Sequence, residues 1–241
     1  MDPFISPKDY KLILTCEHAS NLVPTELKTL FLPYKELLNT HLGYDIGALI
    51  LANFLKKISD YYLFAKYSRL IIDLNRSLHH RNAFSFITKF LPLPMKEMMI
   101  EKYYDPYRKA VLSRITDFIQ NGFFVFHLSI HSFTATLNQK ERNCDIGLLY
   151  DPTHLLEAQF CHSLKQQLIK INPALKLRFN YPYLGKSDGF TSFLRKNFLT
   201  NYIGIEIEVN QNIFLTKQSI HHCINNDLLK GLQTILKIEG K

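Results

Sequence analysis

Ile203-Gly204-Ile205-Glu206-Ile207-Glu208-Val209 alternates strictly between apolar and other residues. In an extended chain, successive side chains point to opposite faces, so Ile203, Ile205, Ile207 and Val209 share one face while Glu206 and Glu208 share the other. A carboxylate on a core strand is costly unless it is paired or used. One of these two glutamates can therefore act as the general base for a water activated by a metal. The alternative is a strand near the sheet edge with a solvated acidic face.

Working outward, other short apolar runs read as strands: Lys11 to Cys16, Tyr61 to Ala65, Arg69 to Asp73, Phe123 to Ile130 ending at His131, and Asp145 to Tyr150. Between them lie helical patterns over His41 to Ile58, Lys96 to Asn121, His154 to Ile171 and Gln218 to Ile238, with a further helix start at Pro24. Strands alternate with helices and no linker, repeat or low-complexity stretch divides them. The expectation is one α/β domain over residues 1–241, with a mostly parallel sheet covered on both faces. In such sheets, loops beyond the carboxyl ends of the strands carry the chemistry.

Composition excludes several classes. The 241 residues are 46% hydrophobic and 21% charged, which is globular rather than disordered. Nothing approaches an apolar run of about 18 residues, so no membrane span is expected. Met1 to Tyr10 lacks the apolar core of a secretion signal. Cys16, Cys144, Cys161 and Cys223 form no CxxC pair, so neither a zinc knuckle nor a disulfide framework is signalled, and a reduced, cytoplasmic protein is the simplest reading. The formal charge is +8, but the lysines are scattered and no nucleic-acid motif accompanies them. A positive field also suits a small anionic substrate.

Polar residues at strand ends are the candidates for function. His18 and His131 each follow a strand, beside small or hydroxyl residues, and two such histidines can meet at the rim of one sheet. Neutral imidazoles bind zinc, and a catalytic zinc takes three protein ligands plus a water. The alternative is two unrelated loop histidines. His79-His80 and His221-His222 are adjacent pairs whose members point apart, and both read as surface residues. His41 and Asp45 are four apart in a helical pattern, so they share a face, as ligands or as a local hydrogen bond. In Arg69 to Arg76, the apolar Ile71, Ile72 and Leu74 bury the segment, while Asp73, Asn75 and Arg76 stand at its polar end. An Arg fork there suits a carboxylate, and a structural ion pair of Asp73 with Arg69 or Arg76 is the other reading. Asn180 to Thr191 is a polar loop by its Pro and Gly content, either covering a ligand or simply connecting.

Cys16-Glu17-His18-Ala19-Ser20-Asn21 with Val23-Pro24, His41-Leu42-Gly43-Tyr44-Asp45-Ile46-Gly47-Ala48 and Ser68-Arg69 through Asp73-Leu74-Asn75-Arg76-Ser77 together resemble the N-formylglutamate amidohydrolase family. So do His131-Ser132-Phe133-Thr134, the Asn180 to Thr191 loop and Ile207-Glu208-Val209-Asn210-Gln211. The motifs are short, but as an ordered set they span nearly the whole chain.

The resemblance implies a three-layer α/β/α domain like that of the zinc carboxypeptidases and aspartoacylases, with a mostly parallel mixed central sheet. It also implies hydrolysis of the amide of an N-acyl amino acid, N-formyl-L-glutamate above all, with one zinc ion as cofactor. His18 and His131 take the places of metal ligands. The carboxypeptidase-like pattern puts an acidic ligand three residues after the first His, but here Asn21 stands there, and an amide is a poor zinc ligand. Asp45 is then the expected third ligand, with Glu17 as runner-up. Glu208, ahead of Glu206, matches the catalytic glutamate, Arg69 the group that polarises the scissile carbonyl, and Asn75 with Arg76 the anchor for a substrate carboxylate. Ser187, Asp188 and Thr191 are expected to line the pocket. Arg108 stands where the family pattern leads one to expect His. The expected partner is a small molecule, with neither nucleic acid nor membrane. A carboxypeptidase or peptide amidase on the same scaffold, or a metal-free binding protein, are the alternatives.

Overall fold

The computed structural model describes residues 4, 6–215 and 218–238, with 218–222 described by their backbone. In chain order its elements are β1 (Tyr10–Cys16), the short helices α1 (Lys28–Phe31) and α2 (Lys35–Leu38), α3 (Ala48–Leu55), β2 (Tyr61–Phe64), α4 (Leu93–Met99) and α5 (Asp105–Gln120). There follow β3 (Phe124–Phe133), a small hairpin of β4 (Thr136–Leu137) and β5 (Lys140–Glu141), β6 (Ile146–Leu149), α6 (Leu155–Ile171) and β7 (Leu177–Phe179). The last are α7 (Phe190–Asn197), β8 (Tyr202–Asn210), α8 (Asn212–Leu215) and α9 (Gln218–Leu236).

The central sheet has six strands in the order β2-β1-β3-β8-β6-β7. β2, β1, β3 and β8 run parallel, and β6 and β7 run the other way. β1, β3 and β8 therefore deliver their carboxyl ends to one rim. Helices cover both faces, giving three layers. On one side, Phe126 meets Phe160 of α6 with ring centroids 5.7 Å apart, and the Tyr10 hydroxyl donates to the Leu236 carbonyl of α9. On the other, His127 meets Phe190 of α7 at 6.1 Å, and Glu17 accepts a hydrogen bond from Tyr107 of α5. The first face carries Leu12, Leu14, Phe126, Leu128 and Ile130, all buried. The second carries Thr15, His127, Ser129, His131, Glu206 and Glu208, also buried. The register aligns them, with Thr15 opposite Ser129, Ser129 opposite Glu206 and His131 opposite Glu208.

β6 is shorter than β8, so the amino-terminal half of β8 has an unpaired edge. A buried ion pair closes it. Glu157 of α6 accepts from the Gly204 N–H at 3.0 Å, and Arg195 of α7 donates to the Gly204 carbonyl at 2.7 Å. Arg195 Nε and Glu157 Oε1 stand 2.7 Å apart. Both backbone groups of Gly204 are thereby satisfied where the ladder stops.

Four expectations need correction. The helix read from His41 begins only at Ala48, after Gly47 at φ +86°. Residues 41–47 form turns, so His41 and Asp45 share no helix face. Arg69 to Asp73 is not a strand, although Leu70, Ile71 and Ile72 are buried as their character requires. The Ser85 and Thr88 hydroxyls bond the Leu70 and Ile71 carbonyls in place of a neighbouring strand. An apolar run signals burial and does not by itself specify extension. His131 lies inside β3 and not after it. The helix read over 96–121 is α4 and α5 joined by a π-helical turn at Ile100–Tyr104, next to Pro106, whose missing N–H disrupts a regular ladder. β7 and α7 had no clear periodic signal. Among the described residues, no helix is long and apolar enough to cross a membrane. The side chains of His221 and His222 lie outside the described residues, while His79 is exposed. The four cysteines are free.

Candidate active site

Three segments converge at the carboxyl rim of β1, β3 and β8. His18 follows β1 directly. His131 projects from the end of β3. The turn at 41–47 is pinned between them: the Asp45 N–H donates to the His18 carbonyl at 2.9 Å, the Ser132 hydroxyl donates to the Ile46 carbonyl at 2.8 Å and the Ser68 hydroxyl to the Gly43 carbonyl at 2.7 Å. Gly47 is required here. Its positive φ suits glycine, and a Cβ would lie 2.1 Å from the Phe214 ring.

The two imidazoles meet over Asp45. His131 Nδ1 lies 2.9 Å and His18 Nδ1 3.4 Å from Asp45 Oδ2, and the ring centroids are 4.9 Å apart. The potential ligand atoms of His18, Asp45 and His131 all fall within 4.8 Å of one another. Each ring is backed by a second carboxylate. His18 Nε2 donates to Asp73 Oδ1 at 2.7 Å, and Nδ1 accepts from Arg69 at 3.1 Å. His131 Nε2 faces Ser129 Oγ at 2.9 Å and Glu17 Oε2 at 3.2 Å. Carboxylates behind both imidazoles are the arrangement that orients histidines toward a metal and raises their basicity. Two imidazoles and one carboxylate on one point are a donor set that fits zinc, with room for a fourth ligand.

The charges in the cluster follow from these contacts. Burial alone raises a carboxyl pKa, yet the adjoining histidines hold those of Asp45 and Glu17 far below the usual carboxylate range. Asp73 is likewise held low against burial by Arg69 and His18. Burial opposes charge on His131, but bonds to Asp45 and Glu17 outweigh it and raise its pKa well above the ordinary value. Glu208 is the exception. Burial pushes its carboxyl up to about 8, and its Oε2 is buried with no hydrogen-bond partner. This leaves a buried carboxylate oxygen without a protein partner opposite His131 in the β3–β8 register.

A cavity of about 500 Å³ opens above these groups, and every residue expected to act there lines it except Thr191. Arg69 is clamped by Asp73 at 2.7 Å and lies 3.5 Å from Asp45. Asn75 is fixed by two bonds: its N–H donates to Asp73 Oδ1 at 2.9 Å and its Oδ1 accepts from the Phe190 N–H at 2.7 Å. Arg76 donates to the Asp188 carbonyl, and the Asp188 carboxylate takes the Ser77 N–H and hydroxyl. Ser187 sits on the same wall. Thr191 is fully buried in the first turn of α7 and donates to Glu206 Oε1 at 2.9 Å, so it holds Glu206 and does not face the cavity.

Other residues fall elsewhere. Asn21 bonds Asn39 at 2.8 Å near the surface, away from the His18, Asp45 and His131 cluster. Glu17 lies behind His131, not beside Asp45. Arg108 is outside the cavity, donating to the Leu74 carbonyl at 3.0 Å and lying 4.4 Å from the Phe190 ring centre. Sequence reasoning missed the supporting layer: Ser129 and Tyr107 on Glu17, and His127 between Thr15 at 2.7 Å and the Tyr202 hydroxyl at 2.8 Å. The signal was present, since Thr15, Glu17, His127, Ser129 and His131 are polar residues at two-residue spacing in otherwise apolar strands.

Known proteins place this arrangement. Similar solved structures include gene product Atu2144 from Agrobacterium tumefaciens, at 25% identity and a TM-score of 0.78 over 95% of this chain and 92% of that one. N-formylglutamate amidohydrolase from Ralstonia eutropha JMP134 shares the fold, at 16% identity and a TM-score of 0.72 over 98% of each chain. No curated protein matches significantly. The sequence pattern of one family, N-formylglutamate amidohydrolase, matches residues 10–215, which take in β1 through α8 and every group described above, and the chain belongs to that family of hydrolases.

Proposed function

We propose that the protein is a metal-dependent amidohydrolase that cleaves the amide of an N-acyl amino acid, with N-formyl-L-glutamate giving formate and L-glutamate. The observation that carries this reading is the pair of carboxylate-backed imidazoles sharing Asp45, next to the unpartnered Glu208 Oε2. His18, Asp45 and His131 would hold zinc. Zinc so held supplies Lewis acidity, making water a competent nucleophile near neutral pH.

The remaining steps belong to the chain. Asn75 and Arg76 anchor the substrate carboxylate on the cavity wall, and the Asp188 bonds to Ser77 fix the shape of that wall. Arg69, held rigid by Asp73, presents guanidinium donors to the scissile carbonyl. A preorganised donor of this kind lowers the barrier by about 3 kcal/mol as charge develops on the oxygen. Glu208 accepts a proton from the attacking water and delivers it to the leaving nitrogen. Positive charge brought into the site favours the ionised form of Glu208, which burial otherwise resists.

A formate-release assay over N-formyl, N-acetyl and dipeptide substrates tests the reading. N-formyl-L-glutamate is expected to be the best substrate. Cleavage of peptides with no release of formate would assign the scaffold to a carboxypeptidase instead.

A further inference from the structure

Glu206 has no role in the steps above, yet it lines the cavity. It is only 8% exposed, and Thr191 fixes one of its oxygens. Among the described residues, no cationic side chain forms an ion pair with it, in contrast to Asp45, Asp73, Glu17 and Glu157. A nearly buried carboxylate that faces a cavity with one hydroxyl and no cation opposite it calls for a charged donor from the ligand.

Its neighbours identify that donor. Gly189 packs so closely that a Cβ there would sit 3.1 Å from Glu206 Oε1 and 3.5 Å from Asn75 Oδ1, so the acid and the amide stand close together, and both line the cavity. Asn75 Oδ1 is taken by the Phe190 N–H, which leaves the NH2 as the donor end of that side chain. Glu206 also lies on the same strand face as Glu208, two residues away. A ligand bridging these groups needs an N–H donor close to a carboxylate, with the nitrogen also within reach of Glu208.

An α-amino acid skeleton has that layout. We propose that Glu206 reads the α-nitrogen of the substrate, accepting its amide N–H before cleavage and pairing with the ammonium group of the amino acid product afterwards. The inference rests on the reading above of Asn75 and Arg76 as the carboxylate anchor. In the reaction, the C–N bond breaks and the nitrogen keeps its own hydrogen. It gains one proton of the attacking water through Glu208 and a second through solvent as the released carboxylic acid ionises. Glu206 stays a carboxylate throughout and ends opposite the new ammonium. Gly189, with no side chain, lets the two groups stand this close.

Calorimetric binding of L-glutamate and of (S)-2-hydroxyglutarate, which lacks the ammonium group, tests this without requiring turnover. Glu206→Gln keeps an acceptor for Thr191 but removes the charge. It is expected to weaken L-glutamate by about tenfold or more and leave the hydroxy acid unchanged or tighter. Thr191→Val, which keeps the carboxylate but releases it, gives a smaller loss selective for L-glutamate. Gly189→Ala weakens both ligands. Equal effects of Glu206→Gln on the two ligands, no effect on either, or no binding of L-glutamate to the wild-type protein overturns the proposal. If formate release proceeds normally while Glu206→Gln binds both ligands alike, this inference alone fails. If L-glutamate binding depends on Glu206 but no N-acyl amino acid is hydrolysed, the functional reading fails and the amino-acid cradle stands.

Discussion

His18 and His131, 113 positions apart in the sequence, face each other with ring centroids 4.9 Å apart, and both turn Nδ1 toward the Asp45 carboxylate. Neither histidine reaches this geometry alone. Asp73 fixes the first ring from behind, and Glu17 with Ser129 fixes the second.

Asp73→Asn tests the backing of His18. The substitution removes the charge behind Nε2 and loosens Arg69 together with it. Zinc affinity is expected to fall by about 10–100-fold, read by competition with a chromophoric chelator. Unchanged affinity would show that Asp73 serves only the fold.

Glu208→Gln tests the base. Formate release from N-formyl-L-glutamate is expected to drop by about 10²–10⁴-fold in kcat, while the variant binds zinc as the wild type does. A variant with near-normal kcat would move the proton to another group, Glu206 being the next on that face.

The Glu157–Arg195 pair closing the edge of β8 carries a stability prediction. Arg195→Leu leaves Glu157 charged and fully buried, with the Gly204 and Asp151 N–H groups but no cation opposite it. Losing one partner of a buried pair costs about 3–5 kcal/mol, measured as the shift in urea unfolding. A cost below about 1 kcal/mol would mean that water replaces the guanidinium at the strand edge.

His127 sets a pH dependence. Burial lowers its pKa from 6.5 to about 4, so it is neutral in the fold. The unfolded chain takes up a proton there at higher pH than the folded one. The stabilisation is therefore complete above the unfolded value and is lost as pH falls from 6.5 toward 4, with an upper bound of about 3 kcal/mol. His127→Gln, which can still bond Thr15 and Tyr202, is expected to flatten unfolding stability between pH 7 and pH 5 relative to the wild type. An unaltered slope would contradict a neutral buried His127.

Much of this architecture is legible in the sequence, because alternation is a strong signal. Ile203 to Val209 and the Phe-rich strand before His131 declare β8 and β3, and their polar positions declare the face that carries chemistry. Asp45 was legible only through family resemblance. Its turn is held by tertiary bonds from Ser68 and Ser132, and the spacing of His41 to Asp45 suggested a helix that Gly47 delays. Arg69 to Asp73 misled for a related reason, since its burial is real but its backbone bonds go to Ser85 and Thr88. Thr191 reads in sequence as a loop residue on the cavity wall, but α7 starts there and helical geometry turns it onto Glu206. The pairing of each carboxylate with its histidine carries no spacing signature, because Asp73 backs His18 and Glu17 backs His131 from different segments.

The central claim is that His18, Asp45 and His131 hold a catalytic metal, and a zinc titration of chelator-stripped protein tests it most directly. Formate release from N-formyl-L-glutamate should vanish on stripping and return in step with about one zinc per chain, with no return in His18→Ala or His131→Ala. Full activity in the stripped protein, or full recovery in either variant, would contradict it.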